Sequence, residues 1–402
     1  MPLSMPRSPS LTAPRLVELG LRWVSASQKR WSTMALQWSV LHLMALAVLV
    51  LFPFLLDGGE PTTTATATTN LCTTTHDLHN PLAERFPNNA TGVLNATLAI
   101  IPIPLETARR LIPSQWSILE HAYRALLPDF PEGMYPVMLQ AAHDHDVQLR
   151  AYGITLDDFS RVGFEFPFID LTGDGYSSFR WAPAQLITAG HDIALEGSRA
   201  YGTIVSPASY DPPCDAYRRL PSGATYFRGT TQGLASPPSS TPATKAAGMP
   251  SPAEFIELEM HTLATGAAAL HLTTPYPLEF FKNITNQPTF ANASTCDNMI
   301  RLFNTTMSTG KYAPVAVRGR VRARAFPFVG HPSSQENMGS YGLKGGQQAV
   351  LTAVGRQDDD VHEWTDVYGV QIATPFIENN YLDCRTMRGY TGTGGPADSI
   401  VV

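Results

Sequence analysis

Between Ala35 and Leu56 the chain reads ALQWSVLHLMALAVLVLFPFLL, 22 residues without a formal charge. About 20 apolar residues are enough to cross a bilayer as a helix, so this run decides in which solvent the rest of the chain folds. Lys29 and Arg30 precede it, and Asp57 and Glu60 follow it. With the basic flank held in the cytosol, everything beyond Leu56 is carried across the membrane. The sequence therefore predicts a cytosolic tail over 1–34 and a transmembrane signal-anchor helix over 35–56. That makes a single-pass type II protein of the secretory pathway or cell surface. Secretion after signal cleavage is the alternative. Against it stand the length of the apolar run, a lead of more than 30 residues and the lack of an A-x-A-like site.

The chemistry beyond the span agrees with an oxidising, glycosylating compartment. Asn89, Asn95, Asn283, Asn292 and Asn304 each stand two positions before Thr or Ser, and no such sequon precedes the span. N-linked glycans at these positions would place 89–97 and 283–306 at the surface. Cys72, Cys214, Cys296 and Cys384 all lie on the same side, widely spaced and with no C-x-x-C pair. Two structural disulfides are expected, in any of the three possible pairings, rather than a zinc site. Five of the basic residues and one acid precede residue 57, which leaves 23 basic against 33 acidic residues, a net of −10, for the remainder. So acidic a body is unsuited to neutralising phosphates, and nucleic acid is excluded as a partner.

Residues 57–80 are a Thr- and Ala-rich tract with little to bury, read as a stalk. The lumenal domain then spans 81–402, with a Pro/Ser/Thr/Ala insertion at 229–252. Val162, Phe164, Phe166 and Phe168 alternate with Gly163, Glu165 and Pro167, the period of a strand, with Pro167 at an edge or bulge. Ile256, Leu258 and Met260 alternate with Glu257, Glu259 and His261. From Val315 to Ala325 the apolar residues share one face, and Arg318, Arg320, Arg322 and Arg324 share the other. Helical spacing is brief, at Leu105–Ile112 before Pro113 and again within Ile118–Leu127. The expected class is α+β and β-rich.

The order of segments resembles the acetoacetate decarboxylase family. IPIPLETARRLIP (Ile101–Pro113) is similar to its opening strand and short helix, YPVMLQAA (Tyr135–Ala142) to the next strand, and RVGFEFPFID (Arg161–Asp170) to the long strand after it. GHDIALEGSRAYGTIVSP (Gly190–Pro207) stands where the family carries its G-R-E-x-x-G-F-P-K phrase. The resemblance covers about residues 95–210. It implies a closed cone-like β-barrel with flanking helices, an apolar cavity, a homo-oligomer and a lysine that forms a Schiff base with a keto acid. Gly197, Tyr201 and Gly202 fit the phrase, but the lysine positions fall on Val205 or Ser206. No lysine occurs between Lys29 and Lys245. Without that amine there is no iminium to act as electron sink, so decarboxylation by the family's route is not expected.

Within that frame the cavity candidates are Glu165 as an acid or base, Arg199 and Tyr201 beside it, and Arg110 as a carboxylate ligand. No cofactor and no metal is expected. A lyase-like enzyme with altered chemistry and a non-catalytic small-molecule binder both fit. His143-Asp144-His145-Asp146 offers two imidazoles on one strand face, or a D-x-D as in type II metal-dependent glycosyltransferases. Asp358-Asp359-Asp360 repeats the D-x-D. The bland reading is a polar strand end. The arginine comb is read as long stems covering a sheet face and pairing with the domain's acids. Lys344 sits in a glycine-rich loop without P-loop spacing.

Overall fold

The computed structural model describes Cys72, Thr74 and residues 79–233, 253–265, 274–303, 305, 308–328 and 361–389. The expected anchor helix, most of the stalk, nearly all of the insertion, Asn304, Lys245, Lys344 and Asp358–Asp360 lie outside them. Among the described residues no helix is long and apolar enough to cross a membrane.

Among the described residues there are fifteen strands and four α-helices. In chain order they are β1 (Ala90–Pro104), α1 (Leu105–Leu111), β2 (Ser117–Ile118), α2 (Glu120–Leu126), β3 (Met134–Leu149), β4 (Ile154–Thr155), β5 (Phe159–Asp170), β6 (Ser178–Trp181), β7 (Ala184–Thr188) and α3 (Asp192–Ala200). There follow β8 (Ile204–Asp211), β9 (Arg218–Arg219), β10 (Thr225–Thr230), β11 (Phe255–Thr265), α4 (Leu278–Asn286), β12 (Thr289–Phe290), β13 (Thr295–Arg301), β14 (Val315–Arg324) and β15 (His362–Asp383). Both predicted helices form. The first ends at Leu111, before Pro113, and the second spans Glu120–Leu126. The insertion begins later than its composition suggests, because Gly229 and Thr230 are the last rungs of β10 against β11.

Strands β5, β3, β1 and β15 pair side by side as a wall. Each edge of the wall forks. The start of β5 pairs with β7 and its end with β6. The start of β15 pairs with β14 and its end with β13. One pair of arms meets through β8, β10 and β11, and the other through β12. The pairings thus close two rings that share the wall. Such closure removes the exposed edges along which open sheets aggregate.

Because a ring closes over each face of the wall, the middle of its strands has no solvent side. The first twelve residues of β1 are buried without a break, and so are the last nine of β5. Side-chain contacts separate the two interiors. Gln371 of β15 donates to Thr97 on β1 (3.2 Å) and to Thr225 on β10 (2.7 Å), spanning the larger ring. On the other face Arg301 of β13 donates to Gln140 of β3 (3.1 Å), spanning the smaller one. Pro167 falls within a register shift between Phe166 and Ile169, and Phe168 takes a left-handed φ of 62° there. Proline cannot donate to the ladder, so the strand bulges where it stands.

The outer strands β11 and β14 do alternate. Ile256, Leu258, Met260, Val317 and Val321 are buried. On the other face Arg320 meets Glu259 (3.1 Å), Arg322 meets Glu257 (3.4 Å) and Glu363 (3.3 Å), and Arg318 meets Asp366 (2.7 Å). The arginine comb is a ladder of cross-strand ion pairs, each of modest worth at the surface. At Gly319 a Cβ would collide with the carbonyl oxygen of Glu259, so this ladder needs glycine there.

The four cysteines form two disulfides, Cys72–Cys214 and Cys296–Cys384. One sequon needs correction. Asn95 lies mid-strand in β1, only 9% exposed, and Thr97 is 2% exposed. A glycan on Asn95 would have to pass through the closed ring, so this position is not a surface acceptor in the fold. Asn89, Asn283 and Asn292 are half-buried.

Candidate functional site

The strand period places a charged set inside the smaller ring. Ladder partners share a face, and Met138 opposes Glu165 while Ala142 opposes Arg161. Met138, Gln140, Ala142 and Asp144 of β3 therefore look the same way as Arg161 and Glu165 of β5. Arg180 joins them from β6, Asp297 and Arg301 from β13, and Glu378 from β15. Glu165 is 1% exposed, Asp144 1%, Arg180 2% and Arg301 2%. Charges this deep are rare unless each is matched.

Two arginines are matched. Arg161 forms a two-pronged contact with Asp144, Nε to Oδ2 at 2.7 Å and Nη2 to Oδ1 at 3.3 Å. Burial works against the Arg161 charge, but Asp144 outweighs it and holds the pKa above the ordinary arginine value. Arg180 Nε lies 2.8 Å from Glu165 Oε2. The Arg180 guanidinium also donates to the carbonyls of Ile284 (3.0 Å) and Thr285 (2.8 Å) and to Thr289 Oγ1 (2.6 Å), which ties α4 to the cluster.

Arg301 is different. Its guanidinium donates to Gln140 Oε1 (3.1 Å), to the Met299 carbonyl (3.2 Å) and to the Thr285 carbonyl, all of them neutral. Its Nε has no hydrogen-bond partner, and it makes no ion pair among the described residues. Burial, then Arg180 and Arg161, lower its pKa to about 9. Arg301 thus keeps an unused donor and neutral hydrogen-bond partners, while Glu165 and Asp297 act on it only through space. Gln140 links it to the deep acid by donating to Glu165 Oε1 (3.3 Å).

The ring's partly exposed end carries the other two acids. Asp297 and Glu378 are half-buried. Burial raises the Asp297 pKa, against the pull of Arg301, Arg161 and Arg180. Burial, and then Asp297, raise that of Glu378. Tyr201 stands beside them, its hydroxyl donating to Asn380 Oδ1 (2.6 Å) and accepting from the Tyr381 amide (3.1 Å). Burial, then Asp297 and Glu378, raise its pKa far above the ordinary tyrosine value. Its ring stacks on Tyr381 at 5.2 Å and 6°.

A pH dependence follows. Glu378 has an ordinary value of 4.5 and is raised to about 8 in the fold. A raised carboxyl stabilises the folded state below its unfolded pKa, and that contribution is lost as pH rises through the folded one. Between pH 5 and 9 the wild type should lose on the order of 1–3 kcal/mol relative to Glu378→Gln, after allowing for solvent at the ring's end. Parallel denaturant titrations across that range measure it. Curves of identical pH slope would contradict it.

Of the residues singled out in the sequence, Glu165 lies at the centre of this cluster and Tyr201 at its exposed end. Arg110 and Arg199 do not reach it. Arg110 is an exposed residue of α1 paired with Glu106 (3.2 Å), and Arg199 an exposed residue of α3 paired with Glu196 (2.5 Å). Both are corrected to surface helix pairs, since i, i+3 and i, i+4 spacing satisfies them locally. Glu165 does not face solvent, as simple alternation would have it. Arg161, Arg180, Arg301, Asp297 and Glu378 were missed. The available signal was a charge set among large apolar neighbours, in SFRW and NMIRLF.

The histidine pair faces the larger ring. The His143 and His145 rings stack at 6.1 Å. His143 bonds Thr74 Oγ1 (2.7 Å) and Ser160 Oγ (3.0 Å). His145 is held neutral, with its pKa lowered to about 4 by burial and then by His143. No group of three or more metal-ligating side chains forms among the described residues. Asp144, the first carboxylate of the D-x-D, is taken by Arg161, and Asp146 accepts from the Asn80 amide (2.6 Å) and Gln148 (2.6 Å). Ser206, at a position of the family's lysine, lies on β8 of the larger ring. It donates to Glu254 (2.8 Å) and lines a narrow crevice with Val162, Gly163, Gln185 and Leu186.

No protein-family model and no curated protein matches the chain. Among solved structures it is similar to the enduracididine biosynthesis enzyme MppR with HEPES buffer bound, at TM-score 0.36 and 8% identity over 73% of this chain and 86% of that one. MppR complexed with pyruvate matches at TM-score 0.32 and 9% identity over 77% and 94%. An acetoacetate decarboxylase-like enzyme from Sphingomonas wittichii RW1 matches at 0.33 and 7% over 73% and 94%. Likeness of this degree is too slight to carry chemistry over to this chain.

Proposed function

We propose that this chain is a membrane-anchored glycoprotein whose lumenal domain, an acetoacetate decarboxylase-like fold with its rings forming the cone-like barrel, binds a small keto acid without a Schiff-base lysine. The observation that supports binding is Arg301, a buried guanidinium without a carboxylate partner. The ligand's carboxylate takes that place, and Gln140 and Glu165 orient the polar end beside it. Of the lysines within the described residues, Lys282 pairs with Glu279 (2.7 Å) and Lys311 lies over the Tyr312 ring. Neither has the buried, cation-flanked setting that frees an amine for attack.

Pyruvate or acetoacetate should therefore raise the melting temperature of the protein, corresponding to about 2.7 kcal/mol at a hundredfold excess over Kd. Borohydride should trap no adduct on any lysine. A stoichiometric reduced adduct in the mass spectrum would show that an amine does the chemistry after all.

The anchor and the glycans rest on the uncharged run over 35–56, the sequons and the two disulfides of an oxidising compartment. The protein should stay with carbonate-washed membranes, and glycopeptide mapping should find Asn292 occupied and Asn95 bare. A soluble protein, or a glycan on Asn95, is the contrary result.

A further inference from the structure

We propose that Asp297 and Glu378 are the proton-transfer pair of this site and that the domain catalyses enolisation of a bound 2-keto acid. This rests on the keto-acid reading above and adds an activity to it. Four carboxylates belong to the cluster, and geometry divides them. Asp144 and Glu165 are buried in ion pairs with Arg161 and Arg180. Asp297 and Glu378 are in salt-bridge contact with no cation among the described residues, and Asp297 Oδ1 is buried without any hydrogen-bond partner. Only these two are therefore free to take up and return a proton.

Their placement is fixed by the chain on both sides. The β13–β15 ladder sets Met299 opposite Glu378 and Cys296 opposite Leu382, and its register shifts between Cys296 and Asn298, where Asp297 stands. The Cys296–Cys384 disulfide holds this end of the ladder, and Tyr201 holds Asn380. Arg161, Arg180 and Arg301 all act on Asp297 electrostatically. Both carboxyls are raised, so protonated and ionised forms coexist near neutrality, as proton transfer in both directions needs.

The step balances within the site. A C3–H bond of the keto acid breaks, and the proton forms an O–H bond with the ionised member of the pair. The C–H electrons become the C2–C3 double bond, while the carbonyl π pair settles on the C2 oxygen as an enolate. The positive potential of Arg161, Arg180 and Arg301, which already acts on Asp297, favours that oxyanion through space. Reprotonation at C3 reverses each change, and no oxidant or co-reactant is consumed.

The test is the full-length protein in detergent with pyruvate in D2O, following loss of the methyl proton signal by NMR and binding by thermal shift. Wild type should exchange the methyl protons well above buffer. Asp297→Asn and Glu378→Gln should each slow exchange by about 100-fold and leave the pyruvate-induced thermal shift in place. Binding without exchange in the wild type, or unchanged exchange in both variants, overturns the proton-transfer pair and spares the binding reading. Neither binding nor exchange overturns both.

Discussion

Arg180→Met is expected to destabilise the domain by about 3–5 kcal/mol, the cost of leaving a buried charge without its partner. Glu165, 1% exposed, would lose the guanidinium 2.8 Å away and keep only the amide of Gln140. The Ile284 carbonyl would also lose the Arg180 donor and the Thr285 carbonyl would keep only Arg301, which loosens the end of α4. The double variant Arg180→Met/Glu165→Met should recover much of the loss, since removing both charges restores a neutral interior. Chemical denaturation of the four proteins closes the cycle. Additive costs would mean that Glu165 and Arg180 do not stabilise each other.

Removing either disulfide should cost about as much, though through the unfolded chain. Cys72–Cys214 closes 142 residues and Cys296–Cys384 closes 88. Loop-closure entropy puts each at roughly 4–5 kcal/mol, within a measured span of about 2–5. Cys296→Ala/Cys384→Ala should be the worse of the two, because these side chains are 0% and 2% exposed and their loss also leaves a cavity. Cys72→Ser/Cys214→Ser should chiefly loosen Thr74, whose amide donates to Asp158 (2.6 Å). Unfolding free energies within about 1 kcal/mol of wild type would show that the denatured chain is already constrained by other means.

The outer strands were readable because one of their faces meets water. Glu257 and Glu259 against Ile256 and Leu258, and the arginine comb against Val317 and Val321, are the alternation expected of a half-buried sheet. The wall was less legible for the opposite reason. In β5 both parities are interior, so the period that gives a strand gives no side to Glu165. The absence of a lysine between Lys29 and Lys245 was legible in the sequence, and only the resemblance gave it meaning. The cluster was not, because Asp144, Arg161, Arg180, Arg301 and Glu378 come from five strands, and only ring closure brings them together. Arg110 and Arg199 were drawn in by their place in a family phrase, whereas their own neighbours, Glu106 and Glu196, already satisfied them on helix surfaces.

The most direct measurement is calorimetric titration of pyruvate into wild type, Arg301→Met and, as a surface control, Arg385→Met. Methionine preserves much of the buried volume at 301 and removes the charge, and Arg385 is an exposed residue paired with Asp383. Wild type and Arg385→Met should bind one equivalent with the same affinity, and Arg301→Met should lose at least 1.5–3 kcal/mol of it, the value of a charged hydrogen bond. Equal binding by all three proteins would contradict the assignment of Arg301 as the carboxylate receptor.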